Sequence, residues 1–234
     1  MIIEEKYNID EIKNLANLYM TFLGTYLICG LVCFLQDILI WNKDITKRKI
    51  QHTNKLEIIY LYKKTLNIVA KNIFFWVPLV FVGGGSCYII FCNGTLGGNF
   101  YFDTYDIPKF AINFLLVDIF FYLSHRLFHF GILYSKYHKI HHELKKPISI
   151  GALYTHPVDC IATNILPVLL PIIILKEGII ISNIWIFISV VNTIYFSHTG
   201  ERGRSEFHDL HHEKFKYNYG TNLIMDKIFG TYRE

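Results

Sequence analysis

Three apolar stretches decide what this chain can fold into. Asn14 to Gln36 and Asn72 to Phe102 contain no charged side chain, and Gly178 to Gly200 contains only His198 as an ionisable group. A helix needs about 20 mostly apolar residues to cross the roughly 30 Å hydrocarbon core of a bilayer, at about 1.5 Å of rise per residue. Each stretch meets that length. Phe110 to Ser124, carrying Asp118, and Cys160 to Leu175, carrying Pro167 and Pro171, are shorter; the second is expected to be a kinked span or a re-entrant half-helix. The composition, 52% hydrophobic and 18% charged, excludes an ordinary soluble domain. The expected fold is an all-α integral membrane protein with about four to five transmembrane or re-entrant helices. Gly83, Gly84 and Gly85 fall inside the second apolar run, where their lack of side chains is expected to admit a neighbouring helix at close range.

Charge orients the spans, because Lys and Arg accumulate in short cytoplasmic loops. Asn42 to Lys71 holds eight Lys and Arg against two acids and is expected to be a cytoplasmic loop. The N-terminus, residues 103–109 and the Lys176-Glu177-Gly178 turn then fall on the far side, while 125–160 and 198–234 return to the cytoplasm. With these assignments the cytoplasmic pieces carry +9 and the far-side pieces −3. Glu4, Glu5, Asp10 and Glu11 are the wrong charge for a signal peptide, so the first apolar run is expected to stay as an anchor. The five cysteines (Cys29, Cys33, Cys87, Cys92, Cys160) lack Cys-x-x-Cys spacing and read as small hydrophobes rather than disulfide or zinc partners. The chain divides into an N-terminal membrane hairpin with its basic loop, 1–109, and a second part, 110–234, that carries the chemistry.

Ten of the eleven histidines lie between His125 and His212, all on the side of the membrane that the charge rule makes cytoplasmic. His125 and His129 are spaced i, i+4; His138, His141 and His142, and again His208, His211 and His212, are spaced i, i+3, i+4. On a helix such spacings share one face, so each group is expected to converge on one point. His156 in Tyr-Thr-His-Pro and His198 in Ser-His-Thr-Gly complete the set. Neutral imidazole is the commonest metal ligand, and ten exceed the needs of one ion, which points to a di-metal centre with four or five ligands per ion. On softness alone, iron, zinc and copper all suit such a shell. His52, alone in the basic loop, reads as a solvated surface residue.

Other metal chemistries fit less well. A zincin needs His-Glu-x-x-His, and His142-Glu143-Leu144-Lys145-Lys146 lacks the second histidine. Haem ligation within a membrane needs histidines facing each other inside the apolar spans, whereas these sit at the span ends. A transporter needs ionisable groups along a path through the bilayer, and the sequence offers Asp37 and Asp118.

The motifs His-Arg-x-x-His, His-Lys-x-His-His, Tyr-x-His-Pro, Ser-His-x-Gly and Phe-His-Asp-x-His-His, followed by Asn218-Tyr219-Gly220, occur in the order seen in the fatty acid hydroxylase superfamily of membrane di-iron enzymes. The chain resembles that superfamily from about Asp118 to Tyr232. Lys146-Pro147-Ile148, Tyr154-Thr155-His156-Pro157 and Ser205-Glu206-Phe207-His208-Asp209 look most like the C4-methylsterol oxidase and sterol desaturase branch. The resemblance implies a cytoplasmic cap in which His125, His129, His138, His141, His142, His156, His198, His208, His211 and His212 hold two irons, zinc being a possible substitute. It also implies O2 as oxidant, residence in the endoplasmic reticulum, and electrons from NAD(P)H through cytochrome b5 and its reductase. No cytochrome b5 domain is fused into the sequence, so the donor is expected to be separate. The basic face would suit docking of an acidic donor, and equally attraction to anionic lipid. Gly200-Glu201-Arg202-Gly203-Arg204 is short and charged where the family often carries an aromatic, proline-containing stretch.

The function expected is O2-dependent oxidation of a lipid, with a 4-methylsterol the leading substrate, a fatty-acyl or sphingolipid hydroxylase or C5-type desaturase the enzymatic alternative, and a non-catalytic metal-binding scaffold or transporter the alternative of another class. No catalytic side chain apart from the ligands is expected. Asp118, seven residues before His125, is expected to support a ligand imidazole or a water, or else to pair with a neighbouring helix. Asp159 and Asp209 are weaker supporting candidates, and Asn218 supports the centre or caps a turn. Phe120, Phe121, Tyr122, Phe128 and Phe130 are read as packing or interfacial aromatics, with a lipid tunnel as the alternative.

Overall fold

The computed structural model describes residues 9–39, 48–85 and 104–234, which contain helices and turns, one isolated antiparallel bridge between Lys49 and Glu201, and no strand. Five helices are long and apolar enough to cross a membrane. They are α1 (Ile9–Leu39), α2 (Lys55–Gly84), α3 (Asp106–Phe128), α5 (Pro157–Leu175) and α6 (Ile179–Ser197). Between and after them lie α4 (Gly131–Lys136), 3-10 turns at His138–Glu143 and Ser149–Leu153, α7 (Glu206–Lys214) and α8 (Ile224–Ile228). The spans turn Leu27, Ile28, Leu31, Phe74, Phe75, Leu115, Leu123 and Phe187 outward, the surface a bilayer rather than water would cover. Inward, Phe22, Tyr26, Phe81, Trp185, Ile186, Val190 and Ile194 form a core drawn from both sides of residue 110.

The helices alternate in direction. At one end Asn183 Nδ2 donates to Asn17 Oδ1 (2.8 Å), and Asn113 Nδ2 donates to buried Glu177 Oε1 (2.8 Å). At the other end buried Lys49 pairs with Asp37 at 2.7 Å and donates to the Thr199 carbonyl at 2.7 Å, while Arg48 pairs with Glu201. The basic segment before α2 is thereby strapped onto the segment after α6.

α2 starts earlier than the sequence reading allows. Asn54 caps it, its side chain accepting from Glu57 N at 2.9 Å, and Ile58, Tyr62, Thr65 and Val69 form a buried stripe at helical spacing. The lysines that made this segment look like a loop lie on its other faces; Lys64 pairs with Glu143 at 2.9 Å. The second half of the expected 72–102 span, from residue 86, lies outside the described residues, as do Cys87 and Cys92; Cys29, Cys33 and Cys160 are free thiols. At Gly85 an added Cβ would run into the Leu15 side chain of α1, the close approach expected of the triple glycine. Cys160–Leu175 falls within α5, a 19-residue candidate span with a π-helical turn at Cys160–Ile165 and Pro171 inside the helix that follows.

Candidate metal centre

α3 delivers the first two imidazoles, the 3-10 turn the next three, the end of α6 one and α7 three, all at the strapped end of the bundle. Nine of the expected ligands form two groups. His125, His129, His138, His142 and His211 make one, and His141, His198, His208 and His212 the other; in each group one donor atom per residue lies within 4.8 Å of all the rest. The triplets are therefore split rather than convergent. His138 and His142 join the first group while His141 turns to the second; His208 and His212 join the second while His211 turns to the first. In α7 the i, i+4 pair His208 and His212 keeps one heading, and His211 is rotated off it toward the neighbouring group. The groups abut: the His142 and His212 ring centres are 4.8 Å apart, and those of His141 and His142 5.5 Å.

The rings are held from behind. His125 Nδ1–H donates to the Tyr219 carbonyl (2.8 Å), His211 Nδ1–H to the Tyr217 carbonyl (2.7 Å), and His198 Nδ1–H to the Thr193 carbonyl (2.8 Å). The last acceptor belongs to the π-helical turn Asn192–Ser197, whose wide register leaves carbonyls free at its end. His138 Nδ1–H donates to Asp159 Oδ2 at 2.8 Å, and Thr155 and Thr163 hydroxyls donate to the same carboxylate. A second partner of this kind fixes the tautomer and aims the free nitrogen.

These anchors test whether the residues fit a metal. A carbonyl or carboxylate only accepts, so His125 and His138 carry a proton on Nδ1, and as neutral ligand imidazoles they present bare Nε2 lone pairs, which face each other at 3.1 Å. Two such lone pairs repel unless a cation lies between them. Protonation is resisted elsewhere in the cluster. Burial holds His129 well below the usual imidazole range, burial and neighbouring imidazoles hold His141, His142, His208 and His212 there too, and burial pushes His198 down to about 4 and His211 down to about 3. Nδ1 of His141 and of His142 are buried with no hydrogen-bond partner. A dense set of neutral nitrogen donors, oriented and kept from protons, fits two divalent metal ions of the imidazole-binding class.

Several expected residues take other roles. His156 lies in neither group: its Nδ1 accepts from Val158 N–H at 3.2 Å and caps α5 ahead of Pro157, with its ring against Tyr137. The residue before a proline is held extended, so this imidazole stays beside its own helix start. Asp118 accepts no imidazole proton. Its oxygens take the backbone N–H groups of Asn222 (2.7 Å) and Met225 (2.9 Å), pinning the C-terminal segment to α3. Asp209 accepts from Gln51 Nε2 at 3.1 and 3.2 Å, and burial raises it to about 6. Asn218 ties α7 to residue 233, donating to the Phe207 and Arg233 carbonyls and accepting from Arg233 N–H. His52 is exposed. The Tyr217, Tyr219 and Thr193 carbonyls were invisible in the sequence, since every residue carries one. Asp226 was also missed: it accepts from Tyr219 N–H (2.9 Å) and Gly220 N–H (2.6 Å) and so sets the carbonyl that holds His125. An added Cβ at Gly220 would sit 2.7 Å from Asp118 Oδ1 and 2.9 Å from Asp226 Oδ2.

Beside the second group lies a cavity of about 390 Å³. His198 and His208 border it at the metal end, and Phe114, Val117, Phe121, Val168 and Trp185 of the spans line its deeper part. Of the five aromatics singled out around α3, Phe121 lines it, Phe120 is half-buried outside it, Tyr122 and Phe128 are buried, and Phe130 is exposed.

Comparison with known proteins places residues 110–231 under the family model described as fatty acid hydroxylase. The human protein named fatty acid hydroxylase domain-containing protein 2 is 36% identical over 125 residues, 52% of this chain and 37% of the human protein. A putative methylsterol monooxygenase of Dictyostelium discoideum is 33% identical over 132 residues, 51% of this chain and 49% of that protein. A second one from the same organism is 27% identical over 221 residues, 88% of this chain and 76% of its own length. The chain thus spans between about a third and a half of the first two relatives. No solved structure matches it.

Proposed function

This chain belongs to the fatty acid hydroxylase family, and from that premise we propose that it is a membrane di-iron monooxygenase acting on a lipid, with a 4-methylsterol as substrate. The observation that carries the reading is the continuity between the nitrogen-lined groups and the cavity: His198 and His208 belong to both. Residues 110–234 are the catalytic part, and 1–109 the membrane hairpin that straps onto it through Arg48 and Lys49. The first group would hold one iron through His125, His129, His138, His142 and His211, and the second the other through His141, His198, His208 and His212. When bound, such a pair supplies the reduction of O2 that lets an unactivated C–H bond be oxidised, with electrons drawn from NAD(P)H through cytochrome b5 and its reductase.

The chain's own residues bind, orient and exclude water. The cavity volume falls within the range of about 300–1,000 Å³ that encloses a small amphiphile. Phe114, Val117 and Phe121 offer apolar walls at membrane depth, so a lipid reaches the histidines without leaving an apolar environment. Asn192, Ser197 and Thr193 are polar groups near the metal end that suit a hydroxyl close to the reacting carbon, as a 4-methylsterol has. The names of the methylsterol monooxygenase relatives favour the same substrate and, with the span count, the endoplasmic reticulum membrane with the histidines facing the cytoplasm. The test is turnover by detergent-purified, iron-loaded protein with cytochrome b5, its reductase, NADH and O2. Consumption of a 4-methylsterol is expected; oxidation of an acyl lipid in its place would overturn the sterol assignment, and oxidation of neither would overturn the proposal.

A further inference from the structure

Among the residues lining the cavity, Arg204 alone carries a formal charge; the wall is otherwise apolar, neutral polar or histidine. Its guanidinium stacks on the Tyr195 ring, 4.2 Å from the centroid, and its Nη1 lies 3.0 Å from Glu201 Oε2. Glu201 does not line the cavity, and its other oxygen already pairs with Arg48. Lys49, next in the strap, is matched by Asp37. Of the charged cluster Arg48, Lys49, Arg204, Asp37 and Glu201, the member facing the cavity is Arg204. The Arg204 side chain is half-buried, with Nη1 buried against the Glu201 carboxylate. The polar neighbours at this end are already engaged: Ser205 Oγ with the Glu201 backbone, Asn218 Nδ2 with two carbonyls.

A guanidinium matches the two oxygens of a carboxylate better than any neutral group. Building on the lipid-oxidase reading above, we propose that Arg204 is the anion grip of this cavity and that the ligand it holds carries a carboxylate beside the carbon nearest His198 and His208. An acyl chain with a free acid end would bring that group in; a sterol ring bearing a carboxyl would present it in the same place.

The experiment is equilibrium binding to the full-length, detergent-purified protein. The ligands are oleate and a 4-carboxysterol, each beside its neutral counterpart, oleyl alcohol and a 4-hydroxymethylsterol. At least one acid should bind about ten-fold tighter than its alcohol, the scale of a hydrogen bond to a charged group, and whichever acid does so identifies the source of the carboxylate. Arg204→Gln should abolish the preference while leaving alcohol binding within about two-fold. Arg204→Lys keeps the charge next to Glu201, should preserve the fold, and should lose part of the preference because it lacks the fork. Arg202→Gln changes the net charge equally at an exposed site outside the cavity and should change nothing. Equal binding of acids and alcohols by the unaltered protein would overturn the proposal, as would a preference that survives unchanged in Arg204→Gln and Arg204→Lys. The readout needs no turnover, so failure here leaves the oxidase reading standing, and failure of turnover leaves this result interpretable.

Discussion

In the five-histidine group three rings are fixed from behind, His125 and His211 by the carbonyls of Tyr219 and Tyr217 and His138 by Asp159, and no member borders the large cavity. In the four-histidine group His198 is anchored in this way, by the carbonyl of the π-helical turn, and both His198 and His208 form part of the cavity wall. One group is pre-aimed and enclosed; the other faces whatever enters from the membrane side. Preorganised donors raise affinity because less ordering remains when the ion arrives. Under the proposed function, the first group would hold its ion firmly, and the second would hold one beside a substrate.

The largest effect should come from His211→Ala with His212→Ala, which takes one donor from each group. Elemental analysis of iron-loaded protein should fall from about two metal ions per chain to below about one; unchanged metal would refute the two-group assignment. Single substitutions sharpen the contrast. His208→Ala should lower metal toward about one ion per chain and abolish turnover. Asp159→Asn should weaken metal affinity by about 10- to 100-fold, as loss of a partner that orients a ligand does, read by competition with a chelator. If Asp159→Asn left affinity unaltered, the anchoring of the first group would have no functional weight. The smallest effect belongs to His156→Ala, which should cost about 0.5–2 kcal/mol of stability as a lost helix cap and leave metal content untouched. A fall in metal content there would return His156 to the ligand set.

Much of this arrangement was legible in the chain. The apolar runs located four of the five spans closely, since the length a bilayer demands is a property of local composition. The charge rule put every histidine from His125 onward at one end, and the fold gathers nine of them there. α2 was misjudged because Lys63 and Lys64 read as a loop, whereas burial of Ile58, Tyr62 and Val69 against the cap sustains a helix through them. His156 falls outside both groups, because motif membership does not say whether an imidazole nitrogen faces a ligand cluster or a backbone N–H two residues on.

The sequence by itself determined which side chains could ligate a metal, their imidazole chemistry and the end of the bundle where nine of the ten meet, because composition and helical spacing are local quantities. The tertiary structure decided how the triplets divide between two groups and which carbonyls aim the rings. It also turned Asp118 to the backbone of Asn222 and Met225 rather than to a ligand, and put Arg204 on the cavity wall. Those outcomes depend on contacts between residues as far apart as His125 and Tyr219 or Arg48 and Glu201. No local pattern encodes them, because every residue offers the same carbonyl and amide until packing decides which are within reach.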